Sequence, residues 1–330
     1  MSTAGILFPG QGSQSVGMLG DLADAFPVVT QTFAEASETL GYDLWALARQ
    51  GPEEQQRETR FTQPLMYASG VALWRVWQER SGSAAGAADN LAPVVMAGHS
   101  LGEFAALTAA GAISFSDGVT LVKRRAELMS EAVPAGEGGM AALLGLDDDA
   151  VVSVCQNVRE SFGADTDRVL EAVNFNAPGQ VAVSGHVDAL QRLVEQARDH
   201  GARKAVMLPV SVPNHSSLMQ RAGEQLADAI DALQWQQPAI PVMQNASVAC
   251  AESVDAMLAA LKPHVYSPVF WTRSVAAMIE THKVTAFVEL GPGKVLAGLG
   301  KRIDKSVPVH AVADVATLDA AIAALTTVEA

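Results

Sequence analysis

The sequence predicts an α/β fold, with a large domain built on a mostly parallel, helix-covered sheet and a small antiparallel unit inserted into it. Three observations carry this prediction. Short apolar runs alternate with helical patterns in the outer parts of the chain, the rhythm of parallel strands joined by crossover helices. A glycine-bracketed serine, GHSLG at Gly98 to Gly102, sits between one such run and an alanine-rich helix. From Met140 to Leu208 the rhythm changes to strand, helix, strand, strand, helix, strand.

Taken in order, Gly5 to Phe8 is short and apolar and reads as a buried strand. A glycine-rich turn, PGQGSQ, follows at Pro9 to Gln14. Helical patterns cover Phe33 to Gln50 and Pro64 to Arg80; in the second, Leu65, Met66, Ser69, Leu73, Val76 and Trp77 fall near one stripe. Ser81 to Asn90 is small and polar and reads as a loop. Pro93 to Ala97 is the next strand, leading into GHSLGE and a helix over Leu101 to Ala112. A further helix over Asp117 to Ala132 ends near Pro134 and Gly136, a plausible boundary.

In the middle unit, strands are predicted at Met140 to Leu144, Val169 to Val173, Val181 to Ser184 and Lys204 to Leu208. Helices fall at Asp147 to Ser161 and Val187 to His200. This is the ferredoxin-like split βαβ pattern. Residues 138–208 are therefore expected as a small domain inserted into a large one formed by 1–137 and 209–330. After Pro209, helices are predicted at Ser216 to Leu233, Val254 to Leu261 and Thr272 to Thr281. Strands are predicted at Ile240 to Met243 and Ala286 to Leu290, then GPGK and another helix.

With 330 residues, 49% of them hydrophobic and 18% charged, the chain has the composition of a globular protein with a sizeable core. No run approaches 18 apolar residues, so no membrane-spanning helix is expected. The start, MSTAGILFPGQG, has neither a basic segment nor a long apolar run, so no secretory signal is expected. Cys155 and Cys250 stand apart from each other and from any histidine cluster, as buried free thiols in a reducing compartment would. A cytoplasmic protein is the expectation. The net charge of -14 argues against a nucleic-acid partner. A site for an anionic ligand must then be locally basic. Candidates are Lys123-Arg124-Arg125, Arg203-Lys204, and Lys294 with Lys301-Arg302, against the alternative that each is a solvated face.

The chemistry starts at Ser100. A strand, a sharp turn and a helix place its hydroxyl at a helix N-terminus, where backbone N–H groups favour developing negative charge. The N–H of Leu101 is then one oxyanion donor. The alternative is a chance GxSxG in a chain rich in alanine and glycine. A serine nucleophile needs a base. Of seven histidines, His99 neighbours Ser100 but should point away from it, and His186, His200, His282 and His310 read as surface residues. His215, in SVPNHSSLM, lies in a loop after a strand, where side chains project into a cleft. Taken alone, such a histidine is more often a neighbour of a helix start than a catalyst.

Gly10 and Gly12 flank Gln11 in a loop after the first strand, so its N–H can approach a ligand and complete an oxyanion hole. An ordinary glycine turn is the alternative. Arg125 has Leu121, Val122, Leu128 and Met129 at its i−4, i−3, i+3 and i+4 positions, so it faces inward. A buried arginine needs a partner, either a protein carboxylate or a substrate carboxylate held by its planar fork.

Together, FPGQGSQSVGM, FTQP, GHSLGE, KRRAELM, VNFNAPGQV, SVPNHSSLM, YSPVFW and ELGPGKVL resemble, in order, the malonyl-CoA:acyl carrier protein transacylase family of bacterial fatty-acid synthesis. The resemblance runs over nearly the whole chain. It implies an α/β-hydrolase-like large domain with the small ferredoxin-like insertion. It implies Ser100 as nucleophile, His215 as base, and the N–H groups of Gln11 and Leu101 as oxyanion donors. Arg125 is implied as the clamp for the malonyl carboxylate. His264 stands where a backbone carbonyl orients the histidine; the family often has glutamine there, and a carbonyl serves with either side chain. The implied partners are malonyl-CoA and acyl carrier protein. No metal or redox cofactor is needed, coenzyme A being carried by the substrate. Monomer is the default state. Rival readings are a serine hydrolase or thioesterase, a stand-alone acyltransferase serving a polyketide synthase or a malonate decarboxylase, and a non-catalytic α/β interaction module.

Overall fold

A computed structural model describes residues 3–83, 91–163 and 166–326 of the chain. Its strands are β1 (Ala4–Phe8), β2 (Val95–Gly98), β3 (Gly138–Leu144), β4 (Leu170–Ala177), β5 (Gln180–His186), β6 (Lys204–Met207), β7 (Val242–Gln244), β8 (Ala249–Cys250), β9 (Ala286–Leu290) and β10 (Val309–Val312). Six form one sheet in the order β10-β9-β1-β2-β7-β8. All its pairings are parallel except that of β7 with β8. Every residue of β1, β2 and β9 is buried, as expected for central strands with helices on both faces.

Alternation along these strands divides the core in two. Ile6, Phe8, Met96 and Val288 point to one face, against Phe33, Leu65, Trp77 and Leu121 from the helices there. Leu7, Val95, Ala97 and Phe287 point to the other, against Trp271, Val275, Met278 and Leu296. The register pairs Phe8 with Gly98, so β1 and β2 end side by side. The two loops that follow them therefore leave from the same carboxyl edge, where open α/β sheets bind ligands.

The other four strands form an antiparallel sheet in the order β4-β5-β3-β6, the ferredoxin-like arrangement. Helices Asp148–Glu160 and Val187–Gln196 cover one face through Val151, Val154, Val158, Leu190 and Leu193. The small sheet is tied to the segment just before the helix Trp271–His282 at Val269, which donates to Val173 O (2.8 Å) and accepts from Phe175 N (2.9 Å).

The helix of residues 64–80 is longer than its pattern suggested, Thr59–Ser83, with Pro64 inside it and its predicted stripe buried. Ser81 to Ser83 are thus helical rather than loop; residues 84–90 lie outside the described residues. The expected helix Phe33 to Gln50 is two helices, Val28–Leu40 and Leu44–Gln50. Gly41 at φ 82 ends the first, and the Asp43 side chain caps the second by accepting from Ala46 N. Strands β8 and β10 and the helices Gly20–Ala25, Glu53–Arg57 and Val315–Thr326 were not anticipated. No described helix is long and apolar enough to cross a membrane.

Candidate active site

Ser100 lies two residues after the end of β2 and has φ 51, in the left-handed region that costs a non-glycine residue about 1–3 kcal/mol. Its glycines are dictated by contact. A Cβ on Gly98 would lie 1.8 Å from the backbone of Gly102, and one on Gly102 would lie 2.1 Å from Phe8 O. Strand and helix approach more closely than any side chain allows. Gly10 is similarly pressed on His99 O, where a Cβ would stand at 2.7 Å. The loop after β1 therefore packs against the serine turn.

His215 is 2% exposed and arrives from a turn with φ 66, its own N–H donating to Val265 O. Its Nε2 stands 2.6 Å from Ser100 Oγ. Its Nδ1 is 3.0 Å from both His264 O and Ser267 O. Carbonyls only accept, so Nδ1 carries the hydrogen and the Nε2 lone pair faces the serine. Among the described residues, no carboxylate takes part in orienting this imidazole. Burial, the charge of Arg125 and His99 pull His215 down to about 3, against its two carbonyl bonds. It is the neutral, proton-accepting form at physiological pH.

Arg125 is 1% exposed, on the helix Phe115–Glu131, with Leu121, Val122, Leu128 and Met129 buried around it as their spacing predicts. Its Nη1 donates to Gln63 Oε1 and its Nη2 to Ser100 Oγ at 3.3 Å. The guanidinium carbon lies 5.4 Å from the centre of the Phe104 ring. Its Nε has no partner among the described residues. Among them, no carboxylate approaches it to ion-pair distance. Burial pulls Arg125 down to about 9, with the charge of Glu103 opposing, so it stays cationic at neutral pH. Ser100 Oγ thus accepts from Arg125 while its own hydrogen is free to go to His215.

Gln11, Ser100, Leu101, Arg125 and His215 line one cleft of about 200 Å³. Met140, Asn174, Asn176 and Ala182 of the small sheet form its opposite wall. Among the described residues, neither the Gln11 nor the Leu101 amide has an acceptor in the protein, whereas the Ser100 amide donates to Asn245 Oδ1 at 2.7 Å. His264 sits behind His215 rather than in the cleft. Its carbonyl is the one expected to face Nδ1, and its buried ring has Nε2 3.6 Å from Glu103 Oε2. Burial keeps that ring neutral.

Several residues of this constellation escaped the sequence reading. Gln63, within the FTQP segment, holds Arg125. Ser267 supplies the second carbonyl to His215. Asn245 and Glu103 brace the serine turn. His99 does not contact Ser100; it reaches Asn176 Oδ1 at 2.7 Å, joining the turn to the small sheet. The other four histidines are half-buried rather than fully at the surface, and none lines the cleft. Cys155 is buried and Cys250 half-buried, both free. Of the basic clusters, only Arg125 lines the cleft among the described residues; Lys294, Lys301 and Arg302 lie on or beside the helix Val295–Ile303, whose Leu296 and Leu299 line it. Among the described residues no cluster of His, Cys, Asp and Glu is suited to a metal ion.

Comparison with known proteins agrees with this geometry. Residues 6–321 match the family model described as an acyl transferase domain. The chain is 45% identical to the malonyl CoA-acyl carrier protein transacylase of Salmonella typhimurium, covering 98% of this chain and 99% of that one. It is similar at 45% identity and a TM-score of 0.91 to a malonyl-transacylase solved in complex with a type II polyketide synthase acyl-carrier protein, over 98% and 100% of the two chains. It also matches the crystal structure of an acyl carrier protein S-malonyltransferase from Vibrio cholerae at 47% identity and a TM-score of 0.89, over 97% and 100%. The chain is an acyltransferase and belongs to the malonyl-CoA:acyl carrier protein transacylase family.

Proposed function

We propose that the chain moves a malonyl group from malonyl-CoA to the phosphopantetheine thiol of an acyl carrier protein, through an ester on Ser100, supplying malonyl carrier protein for fatty-acid synthesis. One observation carries this reading: a buried guanidinium without a carboxylate partner, 3.3 Å from the serine oxygen. A substrate whose acyl group ends in a free carboxylate completes that site. A lipase or simple thioesterase has no use for it.

The sequence of steps follows from the donor and acceptor count. The malonyl carboxylate pairs with Arg125, placing the thioester carbonyl over Ser100. Ser100 Oγ attacks the carbonyl carbon as its proton passes to His215 Nε2. The oxyanion is received by the free amides of Gln11 and Leu101, each donor worth ~10²–10³ in rate. The C–S bond breaks, and coenzyme A leaves as the thiol with the proton from His215. The carrier thiol then gives its proton to His215 and attacks the ester carbon. Ser100 departs and recovers that proton. The carbonyls of His264 and Ser267 hold the imidazole throughout, in the place a carboxylate occupies in a triad.

Each step uses side chains and amides of this chain, with no metal or redox cofactor. The small sheet closes one side of the cleft against water, which competes for the ester. We take the enzyme to act as a monomer in the cytoplasm, where thiols such as Cys155 and Cys250 stay reduced.

The discriminating experiment compares malonyl-CoA consumption with and without phosphopantetheinylated acyl carrier protein. Fast, carrier-dependent transfer with parallel-line double-reciprocal plots is expected. Equal consumption without carrier makes the protein a hydrolase.

A further inference from the structure

We infer that Asn245 is a positioning residue for the nucleophile, clamping the Gly98–Ser100 turn with its side-chain amide, and that Glu103 seats Asn245. The inference rests on the reading of Ser100 as the acylated residue. Asn245 follows β7 and is 1% exposed. Its Nδ2 donates to Gly98 O at 2.6 Å, and its Oδ1 accepts from Ser100 N at 2.7 Å. One planar amide thus bridges the carbonyl that ends β2 and the amide of the serine itself.

Asn245 is in turn fixed through its backbone. Its N–H donates to Glu103 Oε2 at 2.8 Å, and its carbonyl accepts from Phe270 N at 3.1 Å. Glu103 is 1% exposed and lies on the helix that begins just after the serine. Gln244 Nε2 reaches its other oxygen at 3.4 Å. The turn, the helix behind it and the neighbouring strand therefore close into one hydrogen-bonded ring.

Two consequences bear on the chemistry. Ser100 holds a left-handed φ of 51, which persists only where surroundings impose it. The Asn245 bonds are placed on both sides of that strained residue. They also consume the Ser100 amide, so the amides left free at the cleft are those of Leu101 and Gln11. A turn released from Asn245 relaxes toward negative φ. That carries Ser100 Oγ off its 2.6 Å contact with His215 and swings the Leu101 amide with it. Arg125 and Gln63 stand on other helices and keep their bond to each other. The loss therefore falls on acylation, not on malonyl-CoA binding.

The test is single-turnover acylation by malonyl-CoA, read by quenched intact mass, in parallel with malonyl-CoA affinity and thermal melting. N245D keeps the shape and the acceptor for Ser100 N but sets a carboxylate oxygen against Gly98 O. It should acylate about 10²-fold more slowly, a loss typical of a misplaced reacting group, with affinity within about threefold of wild type. E103Q keeps one acceptor for Asn245 N and should lose about tenfold, again in rate alone. Folded variants that acylate at the wild-type rate overturn the inference. So does a rate loss matched by an equal loss of affinity. If N245D does not fold, E103Q decides by the same two criteria. A wild-type protein that takes up no malonyl group in the same experiment sinks the nucleophile reading instead, a separate and recognisable outcome.

Discussion

Arg125 is a buried cation whose hydrogen-bond and ring partners among the described residues are neutral: the Gln63 amide, the Ser100 hydroxyl and the Phe104 ring. Such a charge is costly until an anion joins it, and a bidentate carboxylate recovers the cost in hydrogen bonds as well as charge. Arg125→Ala should therefore reduce malonyl transfer far more than acetyl transfer. The malonyl-to-acetyl ratio of kcat/KM should fall by about 10²-fold, the loss expected for charge-assisted bonds of roughly 1.5–3 kcal/mol. An unchanged ratio would make the arginine purely structural. The same substitution has a pH signature. Burial first and the Arg125 charge second hold His215 at about 3, so the acidic limb of kcat/KM in the native enzyme lies well below the ordinary histidine range. Removing the cation removes one of the lowering effects. The limb should move to higher pH in Arg125→Ala, and a limb that stays in place would show that His215 does not feel this charge.

Among the elements, the connection from β9 to the helix Val295–Ile303 supports the oxyanion loop. Glu289 is buried at the end of β9 and accepts from Leu296 N at 3.0 Å and Ala297 N at 2.8 Å, in the first turn of that helix. Gly291 is pressed on Pro9, where an added Cβ would lie 2.1 Å from the ring. Burial pushes the Glu289 carboxyl up to about 7, with the helix amides opposing. Its folded value thus lies above its ordinary 4.5. The stability it contributes is fully present below pH 4.5 and is lost as pH rises through about 7. Glu103 is raised to about 7 in the same direction, so the effect is shared. Melting temperatures of wild type and Glu289→Gln across this window should show a shallower decline with pH in the variant. Identical slopes would mean that Glu289 does not titrate there.

Elements legible in the sequence were those with a dense local pattern. β1 and β2 are unbroken apolar runs, β9 is one but for Glu289, and the stripe from Leu65 to Trp77 repeats at helical spacing. β10 was not legible because VHAV carries a half-exposed histidine in a short run, and the helix Val315–Thr326 because its alanines blur its buried face. The break at Gly41 did carry a signal, a glycine followed two residues later by a capping aspartate. The same distinction holds in the site. Ser100, Leu101 and Arg125 declare themselves through their immediate neighbours. Asn245 meets Ser100 across 145 residues of chain, through the pairing of β2 with β7, and nothing local marks it.

At the scale of the whole molecule, the turn after β2 supplies the nucleophile, the turn at His215 the base and the helix Phe115–Glu131 the clamp, and the small sheet supplies the facing wall. The chain carries a net charge of -14, yet the cleft holds the buried cation of Arg125, which draws an anionic substrate to where it reacts. What the two sheets enclose is one convergence: a neutral imidazole and a guanidinium, both within hydrogen-bond reach of one serine hydroxyl. Its most direct test is peptide mass spectrometry after brief mixing with malonyl-CoA. One malonyl group should appear on the peptide containing Ser100, vanish on adding phosphopantetheinylated carrier protein, and be missing from Ser100→Ala. A malonyl adduct that survives that substitution, or one found on another residue, contradicts the mechanism.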